Sequence, residues 1–88
     1  MSKKAIKKAV AQVETWGYIG GVALFNGEDM KYSDCRKEVY KYADALIMLD
    51  IMEPTETLEM LDVVFKDAVE KGYNNAKAIE EYRLSKEQ

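Results

Sequence analysis

Eighty-eight residues with 48% hydrophobic and 33% charged side chains, five glycines and one proline describe a single globular domain, 1–88, and exclude a disordered or collagen-like chain. The net charge of -3 hides a gradient: residues 1–25 hold four lysines against Glu14, a balance of +3, whereas residues 52–73 hold six acids against two lysines, a balance of -4. The lone cysteine, Cys35, excludes an intramolecular disulfide, and the opening MSKKAIKKAV lacks the apolar core of a signal peptide, so an intracellular, cytoplasmic location is expected.

The first segment reads as an amphipathic helix. Ile6, Ala9, Val10, Val13 and Gly17 recur at three and four positions, Lys3, Lys4, Lys7 and Lys8 lie mostly opposite, and Ser2 is a suitable N-cap. The lysines oppose the helix dipole, which favours negative charge at that end, so local helix stability does not account for them.

The stretch Trp16 to Gly27, WGYIGGVALFNG, is the least ordinary of the chain. Helical periodicity continues through Gly20 and Leu24, and Asn26-Gly27 is a good helix stop. An unbroken helix would be about 35 Å long, against a diameter of roughly 30 Å for a compact domain of this size, and three glycines would each cost about 1 kcal/mol against alanine. A kink or break at Gly17 to Gly21 is therefore expected. The rival reading is a β-hairpin on Asn26-Gly27, which would pair Phe25 with Glu28 and Leu24 with Asp29 and make no apolar face. The longest nearly uncharged run, Thr15 to Gly27, has 13 residues and is too short to span a bilayer.

Glu28 to Tyr32 reads as a polar connection, after which Ser33 or Asp34 can cap a second helix with Cys35, Val39, Tyr42, Ala43, Leu46 and Leu49 on one stripe. Ala45, Ile47, Met48 and Ile51 widen its apolar surface, and Pro54 marks its end. A third helix opens on Pro54-Thr55, with Leu58, Leu61, Phe65 and Ala68 as its inner seam, flanked by Val64 and Val69. Gly72 reads as its C-cap, and Asn74 or Asn75 as the cap of a last helix with Ala78, Ile79 and Tyr82 facing inward. The expected architecture is all-α, a small bundle of three or four helices.

No histidine is present, which removes the usual general base, proton shuttle and neutral-nitrogen metal ligand. Cys35 has no histidine partner, although a place in the first turn of the second helix would lower its pKa. Glu53, Glu56, Glu59 and Asp62 recur every three residues and form an acidic patch, but without the histidine of a di-iron motif or the glycine of a calcium loop. Gly17, Gly20 and Gly21 match neither common phosphate-loop spacing. No catalytic residue, metal or cofactor is expected.

These features point to a non-enzymatic interaction protein, an adaptor or inhibitor, a class that includes phage-encoded antagonists of host systems. Its contact residues are expected among Lys3, Lys4, Lys7, Lys8, Trp16, Tyr18, Gly20, Gly21 and Phe25, with a protein partner or self-association. The alternatives are a homo-oligomer that holds a small anionic ligand such as a nucleotide, with the glycine stretch against its symmetry mate, and a nucleic-acid-binding module. In the latter the lysines would contact phosphates and the aromatics would stack on bases.

Overall fold

A computed structural model describes residues 2–87, Ser2 by its backbone alone, so the cap expected of the Ser2 side chain lies outside the described residues. The described residues form three helices, α1 (Ser2–Phe25), α2 (Asp29–Met48) and α3 (Pro54–Glu87). The all-α bundle read from the sequence is thus present, with three helices and no fourth.

Two tight turns reverse the chain, and both rest on a left-handed residue. Gly27 has φ 73°; its N–H donates to Leu24 O at 3.1 Å and that of Glu28 to Ala23 O at 2.8 Å, the paired bonds of a Schellman cap. Asn26-Gly27 is therefore a helix stop and not a hairpin turn. Because the cap ends at Glu28, α2 starts at once on Asp29, with the N–H of Tyr32 donating to Glu28 O at 3.0 Å. The expected polar connection over Glu28 to Tyr32 and the cap at Ser33 or Asp34 give way to this earlier start.

The second turn repeats the device with an aspartate. Asp50 sits at φ 57°, its N–H donating to Ile47 O and that of Ile51 to Leu46 O, both at 3.0 Å. Ile51 then packs against the core cluster that contains Leu46. Pro54 opens α3, where its missing N–H costs no intrahelical bond. Glu53 caps that helix: its carboxylate accepts from the backbone N–H of Thr55 at 3.1 Å and of Glu56 at 3.2 Å.

The helices run up, down and up. Tyr32 and Cys35 of α2 lie beside Gly20 of α1, while Tyr42 donates to Gln12 at 3.4 Å, so α2 is antiparallel to α1. Gly17 meets Phe65 and Ala68, and Gly21 meets Val69 and Tyr73, so α1 and α3 are parallel. Between the three helices Val13, Val39, Ala43, Leu46, Leu61 and Phe65 are buried, and the buried Thr57 donates its hydroxyl to Glu53 O at 2.8 Å.

The expected kink or break at Gly17 to Gly21 does not interrupt α1, which remains helical for 24 residues. The glycines serve the seam with α3. A Cβ on Gly17 would lie 2.6 Å from the Ala68 Cβ, one on Gly21 would collide with Val69 O and lie 2.7 Å from Tyr73 N, and one on Gly72 would collide with Tyr18 O. Gly17 and Gly21, one turn apart on α1, thus meet the run Phe65 to Tyr73 of α3, Gly72 of that run meets Tyr18, and backbone meets backbone. The length argument for a break fails because the molecule is not spherical: its extents are 56 × 24 × 14 Å and its radius of gyration is 15.3 Å, against about 12 Å for a compact chain of this length.

Gly72 is likewise an interior contact and not a C-cap, and α3 continues to Glu87 as a 34-residue helix. Phe25 at the end of α1 stacks edge-on against Tyr73, with centroids 5.5 Å apart. Beyond Lys77, α3 therefore projects past the other helices by roughly 15 Å, at 1.5 Å per residue. Ile79 and Tyr82, expected to face inward, are 66% and 65% exposed on this arm.

Candidate functional site

The residues singled out from the sequence do not converge on one site. Lys3, Lys4, Lys7 and Lys8 are exposed on the first turns of α1, at the end of the bundle that holds the α2–α3 turn. Trp16 is half-buried against the core, two turns further along. Tyr18 accepts a hydrogen bond at its hydroxyl from Asn75 Nδ2 at 3.2 Å, and Phe25 is held by Tyr73.

Gly20 and Gly21 are buried inside the chain. Gly20 faces Cys35, Tyr32 and Phe65, and Gly21 lies in the α1–α3 seam. For either to touch a partner, an intramolecular seam would have to open. The aromatic residues of WGYIGGVALFNG are thus divided among the surfaces of α1 by the twist of the helix.

The acidic residues are also dispersed in role. Glu53 is a helix cap, and its two backbone donors hold its carboxyl below the usual glutamate range. Asp62 receives Lys66 at 3.1 Å and Arg36 at 2.6 Å. The hydrogen bond from Lys66, then the charge of Arg36, hold its carboxyl below the usual aspartate range. The Arg36 guanidinium also lies over the rings of Phe65 and Tyr40, at 5.2 and 5.4 Å, so it clamps α2 to α3. Glu56 and Glu59 remain exposed. Among the described residues no three histidine, cysteine, aspartate or glutamate side chains are placed to share a metal ion.

Cys35 does not lie in the first turn of α2. The earlier start of that helix places it in the second turn, where it is buried and burial pushes its thiol pKa up. The charge of Lys31 acts in the opposite direction but burial outweighs it, so the thiol is not activated as a nucleophile.

Met30, Tyr40, Leu58 and Val63 are exposed elsewhere on the bundle, and two further surfaces bring uncovered apolar side chains together. One is the arm of α3, where Ile79 and Tyr82 lie three residues apart on one side. Its helix is held by its own ion pairs, Arg83 reaching Glu80 on one side and Glu87 at 3.0 Å on the other. The other surface is an open groove of about 550 Å³ between the first half of α1 and the last half of α2. Ala5 and Ala9 form its α1 wall and Ala45, Leu46 and Leu49 its α2 wall, with the Tyr42–Gln12 hydrogen bond along it and Lys8 as its charged lining residue.

Leu49, at the end of this groove, is 69% exposed. Of the groove's lining, the sequence singles out Lys8 alone as a contact residue, because Tyr42, Leu46 and Leu49 read as core. The usable signal was the excess width of the apolar face on α2, more than one helix-facing stripe needs.

Among the described residues no helix is long and apolar enough to cross a membrane. Comparison of the chain with protein families, with curated proteins and with solved structures finds no match.

Proposed function

We propose that this chain is a non-enzymatic interaction protein, an adaptor or inhibitor that works inside the cell by presenting helical surface to another protein. The observation that carries this reading is the α3 arm. An isolated helix of about a dozen residues is marginal in water, yet this one extends α3 into solvent with Ile79 and Tyr82 uncovered. A helix of that kind lowers its free energy by laying its apolar side on a partner. The rival arrangement, with the glycine stretch against a symmetry mate around an anionic ligand, would require α1 and α3 to separate.

The test is a pull-down from the native cell with the intact mass of the complex, run in parallel with an Ile79→Glu/Tyr82→Glu variant. The expected result is a partner of defined stoichiometry that the arm variant loses while its circular dichroism is unchanged. Equal capture by both forms would remove the arm from the function. A mass equal to a multiple of this chain alone would turn the reading to self-association.

A further inference from the structure

We propose that the groove between α1 and α2 docks an amphipathic helix of a partner protein whose flanks are acidic. The inference rests on the reading of the chain as an interaction protein, but it concerns a surface at the opposite end of the bundle from the arm. The first argument is shape. Ala5 and Ala9 stand one turn apart on α1, and Ala45 faces them from α2, so a third backbone can come close to both helices. Leu46 and the exposed Leu49 supply the apolar floor and rim.

The second argument is charge. Lys8 lines the groove, and Lys4 lies one turn before it on the same row of α1. No acid stands among the lining residues; Asp44, beside Ala45 in sequence, is turned about 100° away from it round the helix. The first turn of α1 holds no acidic residue, so the positive end of its dipole adds to the lysines. Basic side chains there weaken α1 taken alone, and a carboxylate on a docked helix would offset both the lysines and the dipole. The α3 arm of a second copy is a poorer fit, because residues 74–88 carry three acids and three bases and offer no net complement.

The experiment uses the full-length protein and displayed helical peptides of about 18 residues. All share one apolar stripe and vary between Glu and Lys at the flanking positions. Selection is expected to enrich Glu-flanked peptides. In fluorescence anisotropy, Leu49→Ser should weaken the enriched peptides by about tenfold or more, and Lys4→Glu/Lys8→Glu should shift preference toward Lys-flanked ones. Ala45→Trp, which fills the groove, should abolish binding with the helical circular dichroism intact.

No enrichment, enrichment of Lys-flanked peptides, or binding indifferent to both Leu49→Ser and Ala45→Trp would each overturn the proposal. So would a dimer of the protein that Leu49→Ser dissociates, since a second copy would then occupy the groove. The Ile79→Glu/Tyr82→Glu variant should bind the peptides as the parent does. The groove can therefore fail while the arm stands, and the reverse.

Discussion

Neighbouring glycines in α1 should respond in opposite directions to the same substitution. Alanine in place of glycine adds about 1 kcal/mol of helix propensity at either Gly20 or Gly21. At Gly20 the new methyl would meet the Cys35 Cβ and Tyr32 Cδ2 at 3.4 Å, ordinary contact that requires no movement. Gly20→Ala is therefore expected to be neutral or to stabilise by up to about 1 kcal/mol. At Gly21 the methyl would overlap Val69 O and press on Tyr73 N, both backbone atoms that cannot turn aside. The seam would have to widen by at least about 1 Å, at which separation each contact forfeits about half of its attraction.

Overpacking of that kind costs about 1–3 kcal/mol, and more where neither backbone can yield. After the gain in propensity, Gly21→Ala should destabilise by about 1–2 kcal/mol, a fall in Tm of about 5–15 °C for a domain of this size. Thermal and urea unfolding followed by circular dichroism would measure both variants against the parent. Equal melting of the two, or a more stable Gly21→Ala, would refute the backbone-to-backbone seam and with it the reason α1 stays whole.

Other substitutions test the remaining elements. Asp50→Gly should stabilise by up to about 1 kcal/mol in urea titration, because glycine adopts the left-handed conformation without the Cβ penalty. The folded chain depresses the Glu53 pKa, so its contribution is fully present above the ordinary glutamate value of about 4.3 and is lost as pH falls through the lower folded value. Stability measured across that acid range should depend less on pH in Glu53→Gln. A chain ending at Lys77 should keep the melting midpoint of the full chain within a few degrees, as the arm contributes no buried side chain. A large fall would mean that the arm supports the bundle.

Local chemistry made much of this fold legible. Gly27 and Pro54 punctuate the chain where their backbone constraints require, and Leu61, Phe65 and Ala68 form the inner seam of α3 as their spacing predicts, whereas Leu58, placed with them, is exposed. The failures concern glycine in a helix, whose meaning depends on what lies opposite. Gly17, Gly21 and Gly72 look like breaks when read by propensity alone, and become necessary once a second backbone is placed against them. The second failure follows from the first: reading Gly72 as a cap turns Ala78, Ile79 and Tyr82 inward, toward a bundle they never reach. The candidate groove was less legible still, since its Tyr42, Leu46 and Leu49 are the residue types of a core and only the placement of α1 shows which of them is left uncovered.

Three features of the chain oppose the stability of isolated elements, and their compensation differs. The glycines weaken α1 and α3 locally, by about 1 kcal/mol each against alanine, and the close approach of the two helices offsets this within the folded chain. The lysines at the positive end of α1 have no such compensation: none of the ion pairs formed in the structure involves Lys3, Lys4, Lys7 or Lys8 among the described residues. The apolar side chains of the arm are not compensated by burial either, because Ile79 and Tyr82 remain largely in water, with the Lys86 ammonium 5.5 Å over the Tyr82 ring. Both uncompensated features lie beside helical surface that another chain could cover, one with carboxylates and one with apolar side chains. A protein of this size has about 5–10 kcal/mol of stability in all, so a feature that lowers it and gains nothing inside the fold is where contact with a partner should be sought first.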